Sequence, residues 1–149
     1  KGDIIPPQYI AADAVVERSI IGEGTEIYGE VHNSVIGAGV TIKKGAVIRD
    51  SIIMKQTTIG ENNVIDKAII AENVTVGNHV VMGVGEEVPN KLKPNVYSFG
   101  LVTVGENTII PSNVKIGKNT AIVGKTSAED YPEGILESGE TLNKEGETE

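Results

Sequence analysis

The chain has 149 residues, 39% hydrophobic and 23% charged, with no cysteine, which allows one packed domain and excludes a disordered polymer, disulfides, thiolate zinc sites and a cysteine nucleophile. Its net charge of −8 comes almost wholly from residues 126–149, with eight Asp/Glu against one Lys; no basic stripe suggests nucleic acid, and no polybasic, amphipathic or transmembrane-length run suggests a membrane. With 20 Ile and 18 Val against 4 Leu and 1 Phe, and with 18 Gly and 11 Asn for corners, the composition predicts an all-β fold with many turns rather than a helical bundle.

Residues 1–9, with Pro6-Pro7, read as an extended lead-in. The chain starts at Lys1 rather than Met, so it is expected to be a fragment whose true N-terminus lies upstream. From residue 10 an internal repeat takes over. Ser19-Ile20-Ile21-Gly22, Ser34-Val35-Ile36-Gly37, Ser51-Ile52-Ile53-Met54 and Ala68-Ile69-Ile70-Ala71 recur at intervals of 15, 17 and 17 residues. Inside each interval runs a shorter period of about six, as in the segments that start at Ile36, Ile42, Ile59, Ile70 and Val76. Six is neither the helical 3.6 nor simple alternation, so each hexad predicts one short strand and one corner, and three hexads close a triangular coil. Intervals of 17 and 15 instead of eighteen imply shortened corners, as at Ile48-Arg-Asp-Ser-Ile52 and Ile65-Asp-Lys-Ala-Ile69.

The leading aliphatic residue of each hexad is expected to point inward and stack on its counterpart one coil away. The predicted ladder is Ile21, Ile36, Ile42, Ile53, Ile59, Ile70, Val76, Val104, Ile110 and Ile116. Each fully buried side chain contributes about 1.5–3 kcal/mol. Hexad coils are thus assigned to 10–81 and 104–124. Residues 82–103, with two prolines and the sole Phe, leave the repeat as a long loop of the functional or interface kind. Residues 125–149 form an acidic tail, partly docked through Ile135, Leu136 and Leu142 and frayed at its end.

Hexads of this form resemble the hexapeptide-repeat, left-handed β-helix group, and the handedness is implied by that resemblance alone. Within it, Pro6-Pro7-Gln8-Tyr9-Ile10, the recurring Ser-Ile/Val-Ile, and Ser98-Phe-Gly-Leu-Val-Thr-Val-Gly105 before the regular coil together resemble the C-terminal domain of bacterial glucose-1-phosphate adenylyltransferases. The resemblance covers roughly residues 4–142. It implies a single-stranded parallel β-helix attached to an N-terminal nucleotidyltransferase domain. That domain, absent from this sequence, would transfer the adenylyl group of ATP to glucose 1-phosphate with Mg2+, releasing pyrophosphate and committing the sugar to glycogen synthesis as ADP-glucose. It implies further a cytoplasmic homo-oligomer, a tetramer in the parent, that responds to a phosphorylated sugar or nucleotide. No catalytic residue, metal ligand or cofactor is assigned to this chain itself.

Candidate chemistry within the chain is sparse. Gly124-Lys125-Thr126 ends like a phosphate loop, but Asn119 stands where the first glycine of that motif belongs. Gly83-Val-Gly85 lacks the third glycine of a dinucleotide fingerprint. His79 has two readings: the general base of a stand-alone hexapeptide acyltransferase, or a polar corner of its hexad. Two histidines are too few for the three-His zinc site of the related carbonic anhydrases. Lys91, Lys93 and Tyr97 in the loop are candidates for binding a phosphorylated effector, since flexible cations beside backbone N–H groups suit a dianion; the other reading is a solvated loop. Lys43-Lys44 reads as a solvated corner. A β-helix domain of another sugar nucleotidyltransferase would present the same residues.

Overall fold

The computed structural model describes residue 4 and residues 6–145; residues 1–3 and 5 of the lead-in, and Glu147 and Glu149 of the tail, lie outside the described residues. Twenty short strands wind into a parallel β-helix. Its first coil comprises β1 (Tyr9–Ile10), β2 (Val15–Glu17) and β3 (Ile20–Ile21). The second has β4 (Glu26–Ile27), β5 (Glu30–His32) and β6 (Val35–Ile36). The third has β7 (Thr41–Ile42), β8 (Val47–Arg49) and β9 (Ile52–Ile53), and the fourth β10 (Thr58–Ile59), β11 (Val64–Asp66) and β12 (Ala68–Ile70). The fifth has β13 (Thr75–Val76) and β14 (Val81–Val84), and closes with β15 (Val102–Val104) after the long loop. Then come β16 (Ile109–Ile110), β17 (Lys115–Gly117) and β18 (Thr120–Val123), followed by β19 (Ile135–Leu136) and β20 (Thr141–Asn143). Three parallel sheets result: β1-β4-β7-β10-β13-β16, β2-β5-β8-β11-β14-β17-β19 and β3-β6-β9-β12-β15-β18-β20.

Strict register makes the core. Ile27, Ile42, Ile59, Val76 and Ile110 stack in the first sheet, and Ile36, Ile53, Ile70, Val104 and Ile122 in the third; all are buried. Of the ladder expected from sequence, nine members are buried and Ile21, on the first coil with no rung beneath it, is partly buried against the core. The second sheet adds Val31, Ile48, Ile65 and Met82, which the sequence ladder left out; the last three follow Ile42, Ile59 and Val76 by a full six residues, and Val31 follows Ile27 by four.

Those shortened corners turn at Arg18, Asn33, Asp50 and Lys67, with φ of 46, 50, 50 and 57°, a left-handed conformation uncommon outside glycine. The recurring Ser follows the first three, and Ala68 the fourth. The hydroxyls of Ser19, Ser34 and Ser51 donate to the carbonyl oxygens of Glu17, His32 and Arg49 at 2.7, 2.8 and 2.7 Å. They accept the backbone N–H of Ser34, Ser51 and Ala68 one coil on, at 3.0, 3.1 and 3.0 Å. Thr57 and Asn63 repeat this pattern at the other two corners: Thr57 donates to Ala71 O and accepts Val74 N–H, and Asn63 donates to Gly77 O and accepts Val80 N–H. Coils approach closely there: a Cβ on Gly60 would lie 2.3 Å from the carbonyl oxygen of Gly77, so a side chain is excluded by contact alone.

The tail departs from expectation. The β-helix does not stop at residue 124: β19 and β20 add parallel rungs, Lys115 pairing with Ile135 and Ala121 with Thr141. The interval there is 20 residues, with two 3-10 turns, Ala128–Asp130 and Pro132–Gly134, in place of hexads. Between the turns, Tyr131 is 2% exposed and joins the core cluster, closing this end. Its hydroxyl meets that of Thr126 at 2.9 Å, and burial pushes its pKa up to about 12.

Ile59→Ala is expected to destabilise the chain by about 2–5 kcal/mol, whereas outward-facing Thr58→Ala costs within about 0.5 kcal/mol. Urea unfolding midpoints measure both, and similar losses would contradict the assigned inward and outward faces.

Candidate functional site

The loop leaves β14 after Val84 and returns at Val102, slightly narrower than the 82–103 expected. It is fastened by two buried asparagines that sequence reasoning did not single out. Asn90 is 1% exposed; its amide donates to the carbonyl oxygen of Asn119 at 2.9 Å and to Thr141 Oγ1 at 3.1 Å. Its Oδ1 accepts the backbone N–H groups of Leu92 at 3.0 Å and Lys93 at 2.9 Å. Asn119, left-handed at φ 57°, donates to Val88 O at 2.8 Å and accepts Gly100 N–H at 2.7 Å. One side chain on the coil thus holds both limbs of the loop. The only sequence signal was the abundance of Asn at turns; Asn119 stood out merely as a missing phosphate-loop glycine.

Between the loop and the third sheet lies a groove of about 390 Å³, lined by Leu92, Lys93, Tyr97, Val123, Thr141, Leu142 and Asn143. The structure therefore brings Lys93 and Tyr97 together, with the backbone N–H of Tyr97 and of Val96 bound to Lys93 O at 3.0 Å. It places Lys91 elsewhere: its ammonium pairs with the Glu140 carboxylate and its N–H donates to Gly139 O at 2.9 Å. An ammonium, a phenol and a threonine hydroxyl over an apolar floor of Val123 and Leu142 suit a ligand with an anionic group on a less polar body.

The remaining candidates lie apart from this groove. His79 occupies an exposed corner at φ 57°, its N–H bound to Glu61 O; the polar-corner reading accounts for that conformation. Lys43 and Lys44 are exposed at theirs. Thr126, which completes the phosphate-loop lookalike, is 5% exposed and its hydroxyl donates to Ile109 O at 2.5 Å, so it serves the exit turn. Among the described residues no group of three His, Asp or Glu is placed to hold a metal ion. Among them, too, no helix is long and apolar enough to cross a membrane.

His32 lies on the outer face of the second sheet with Nδ1 2.8 Å from Glu17 Oε1 and Nε2 3.0 Å from Glu30 Oε1. Both ring nitrogens can donate at once only as imidazolium, and the hydrogen bonds to Glu30 and then Glu17 raise its pKa above 6.5. The unfolded chain keeps the ordinary value, so this stabilisation is complete below it and is lost as pH rises through the higher folded-state value. Thermal unfolding midpoints are expected to fall as pH rises above the ordinary imidazole value of about 6.5, less steeply in His32→Gln; equal slopes would sink the assignment. Asn90→Ala should leave the coil intact but unfasten the loop, seen as faster amide exchange at Leu92 and Lys93. Unchanged protection there would show that Asn90 is not the fastener.

Comparison with known proteins adds the following. Residues 8–104 match the family model described as GlmU-like, C-terminal hexapeptide. Over 147 residues the chain is 62% identical to the glucose-1-phosphate adenylyltransferase of Lachnospira eligens, covering 99% of this chain and 35% of that protein. The proteins of the same name from Acetivibrio thermocellus and Thermotoga neapolitana are 46% and 57% identical over 144 and 136 residues, covering 97% and 91% of this chain and 34% and 32% of theirs. The chain spans about a third of the length of these curated relatives and corresponds to their C-terminal portion.

Proposed function

The chain belongs to the GlmU-like C-terminal hexapeptide family, and from that premise we propose that it is the regulatory and oligomerisation domain of a cytoplasmic glucose-1-phosphate adenylyltransferase. In this reading the parent enzyme makes ADP-glucose and pyrophosphate from ATP and glucose 1-phosphate. Catalysis, and the Mg2+ that accompanies ATP, belong to an N-terminal nucleotidyltransferase domain, while this chain contributes subunit contacts and a response to a phosphorylated sugar or nucleotide. Similarity to the relatives' C-terminal portion over 99% of the chain supports the first part.

One observation carries the regulatory part: the groove in which Lys93 and Tyr97 face Thr141 across an apolar floor. A flexible ammonium supplies a point charge for a phosphate, hydroxyls supply further hydrogen bonds, and Val123 and Leu142 shield the ligand body. Because Asn90 holds the backbone of Lys93, the cation is presented without ordering the loop anew, which lowers the entropy cost of binding. Lys91, paired with Glu140, fastens the loop in this reading rather than meeting the effector.

The test uses the full-length enzyme and a panel of phosphorylated sugars and nucleotides. Lys93→Ala is expected to raise the half-saturating concentration of the responsive effector roughly tenfold, the loss of one charge-assisted contact, with KM for ATP held within about twofold. Lost turnover with an unaltered effector response would overturn the assignment.

A further inference from the structure

The last rung is built from β19 and β20, and each of these strands pairs on one side only, with β17 and β18. It follows two 3-10 turns and buries little: Leu136 joins the core, while Ile135 and Leu142 are half-buried. The tip of the long loop buries little either, with Leu92 70% and Val96 64% exposed. The two lean on each other. At the corner between β19 and β20, Lys91 N–H donates to Gly139 O at 2.9 Å and the Lys91 ammonium pairs with Glu140. A Cβ on Gly139, left-handed at φ 81°, would lie 2.6 Å from Pro89 O. The Lys91–Glu140 pair is open to solvent and adds little. The Asn90 amide, buried and donating to Thr141 Oγ1 at 3.1 Å, carries the link, because losing one partner of a buried polar group costs its desolvation. Farther back, both limbs of the loop are tied to the preceding coil through Asn119, at Val88 and Gly100.

We propose that the loop tip, residues 89–93, and the last rung are the two jaws of one clasp, hinged at Asn119, which open and close together while the preceding coils stay folded. Such a unit is a local cooperative element of the kind that opens below the free energy of global unfolding. Its jaws are also the walls of the groove: Lys93 stands on one, Thr141 and Leu142 on the other, and Val123 forms the floor between them. The groove is therefore complete when the clasp is shut. A ligand that binds the shut form alone stabilises it in proportion to its occupancy, and by reciprocity whatever loosens the last rung weakens the ligand. This regulatory use rests on the effector role proposed above for the groove, whereas the clasp rests on the bonds between loop and rung. A message written in the groove is then delivered to the C-terminal end of the β-helix, where β19 lies on the second sheet, and not along the shaft.

Residue-resolved amide hydrogen exchange of the 149-residue chain tests both. The rung is read at Gly139 and Lys144, whose N–H groups donate to Lys118 O and Val123 O at 2.8 Å, the tip at Leu92 and Lys93, and the shaft at Gly60, which donates to Val76 O at 3.0 Å. Asn90→Ala, made at the tip, should speed exchange in the rung about tenfold with Gly60 unchanged. Thr141→Val, made in the rung, should speed exchange at the tip by a similar factor. Faster exchange confined to the jaw that carries the substitution overturns the clasp. Millimolar inorganic phosphate is the ligand probe: it should slow exchange at Lys93 and also at Leu136, whose strand does not line the groove. Slowing at Lys93 alone likewise overturns the clasp. Joint opening in both variants, with no slowing by phosphate at either position, upholds the clasp and overturns the groove as a phosphate site.

Discussion

No coil of this protein can bury its own core. A single turn of three two- or three-residue strands has no neighbour for its inward aliphatic groups and no partner for its strand N–H and C=O groups. Both are supplied by the next coil in parallel register, Ile42 on Ile59 on Val76. Everything else serves that stacking. Corners must be tight enough to bring successive coils into backbone contact, as Gly60 does on Gly77, and polar groups turned inward at corners must be satisfied by the adjacent coil, as Ser34 and Thr57 are.

The dependence on neighbours makes the two ends unequal. At the N-terminal end Ile21, Val16 and Ala14 are only partly buried, and their strands keep one unpaired edge. At the far end the chain covers itself, with Tyr131 set over the core and β19 and β20 closing two of the sheets.

What sequence revealed was what repeats. Inward Ile36, Ile53 and Ile70 and the shortened corners at Asp50 and Lys67 follow from spacing alone, because a solenoid converts period into position. Of the second sheet's inward residues Val31 was the hard one, since it follows Ile27 by four residues and falls out of phase with the hexad, whereas Ile48 and Ile65 keep the six-residue step from Ile42 and Ile59. Contacts between rungs left no local trace: Glu17 and His32 meet only because a 15-residue coil brings them into register. The loop's anchorage was invisible for a related reason. Asn90 and Asn119 reach backbone atoms 29 and 31 residues away, and no periodicity announces such bonds. The tail hid its rungs behind 3-10 turns, so its acidic composition was more conspicuous than its strands.

The long loop departs and rejoins at a corner, and the coils on either side stay in register: Ala68 pairs with Val102 and Val102 with Thr120 as though nothing intervened. Pitch is set by the rungs, not by the detour between them. The corner therefore behaves as a socket. Segments of other lengths and chemistries can be exchanged there while the shaft that carries them is unaltered.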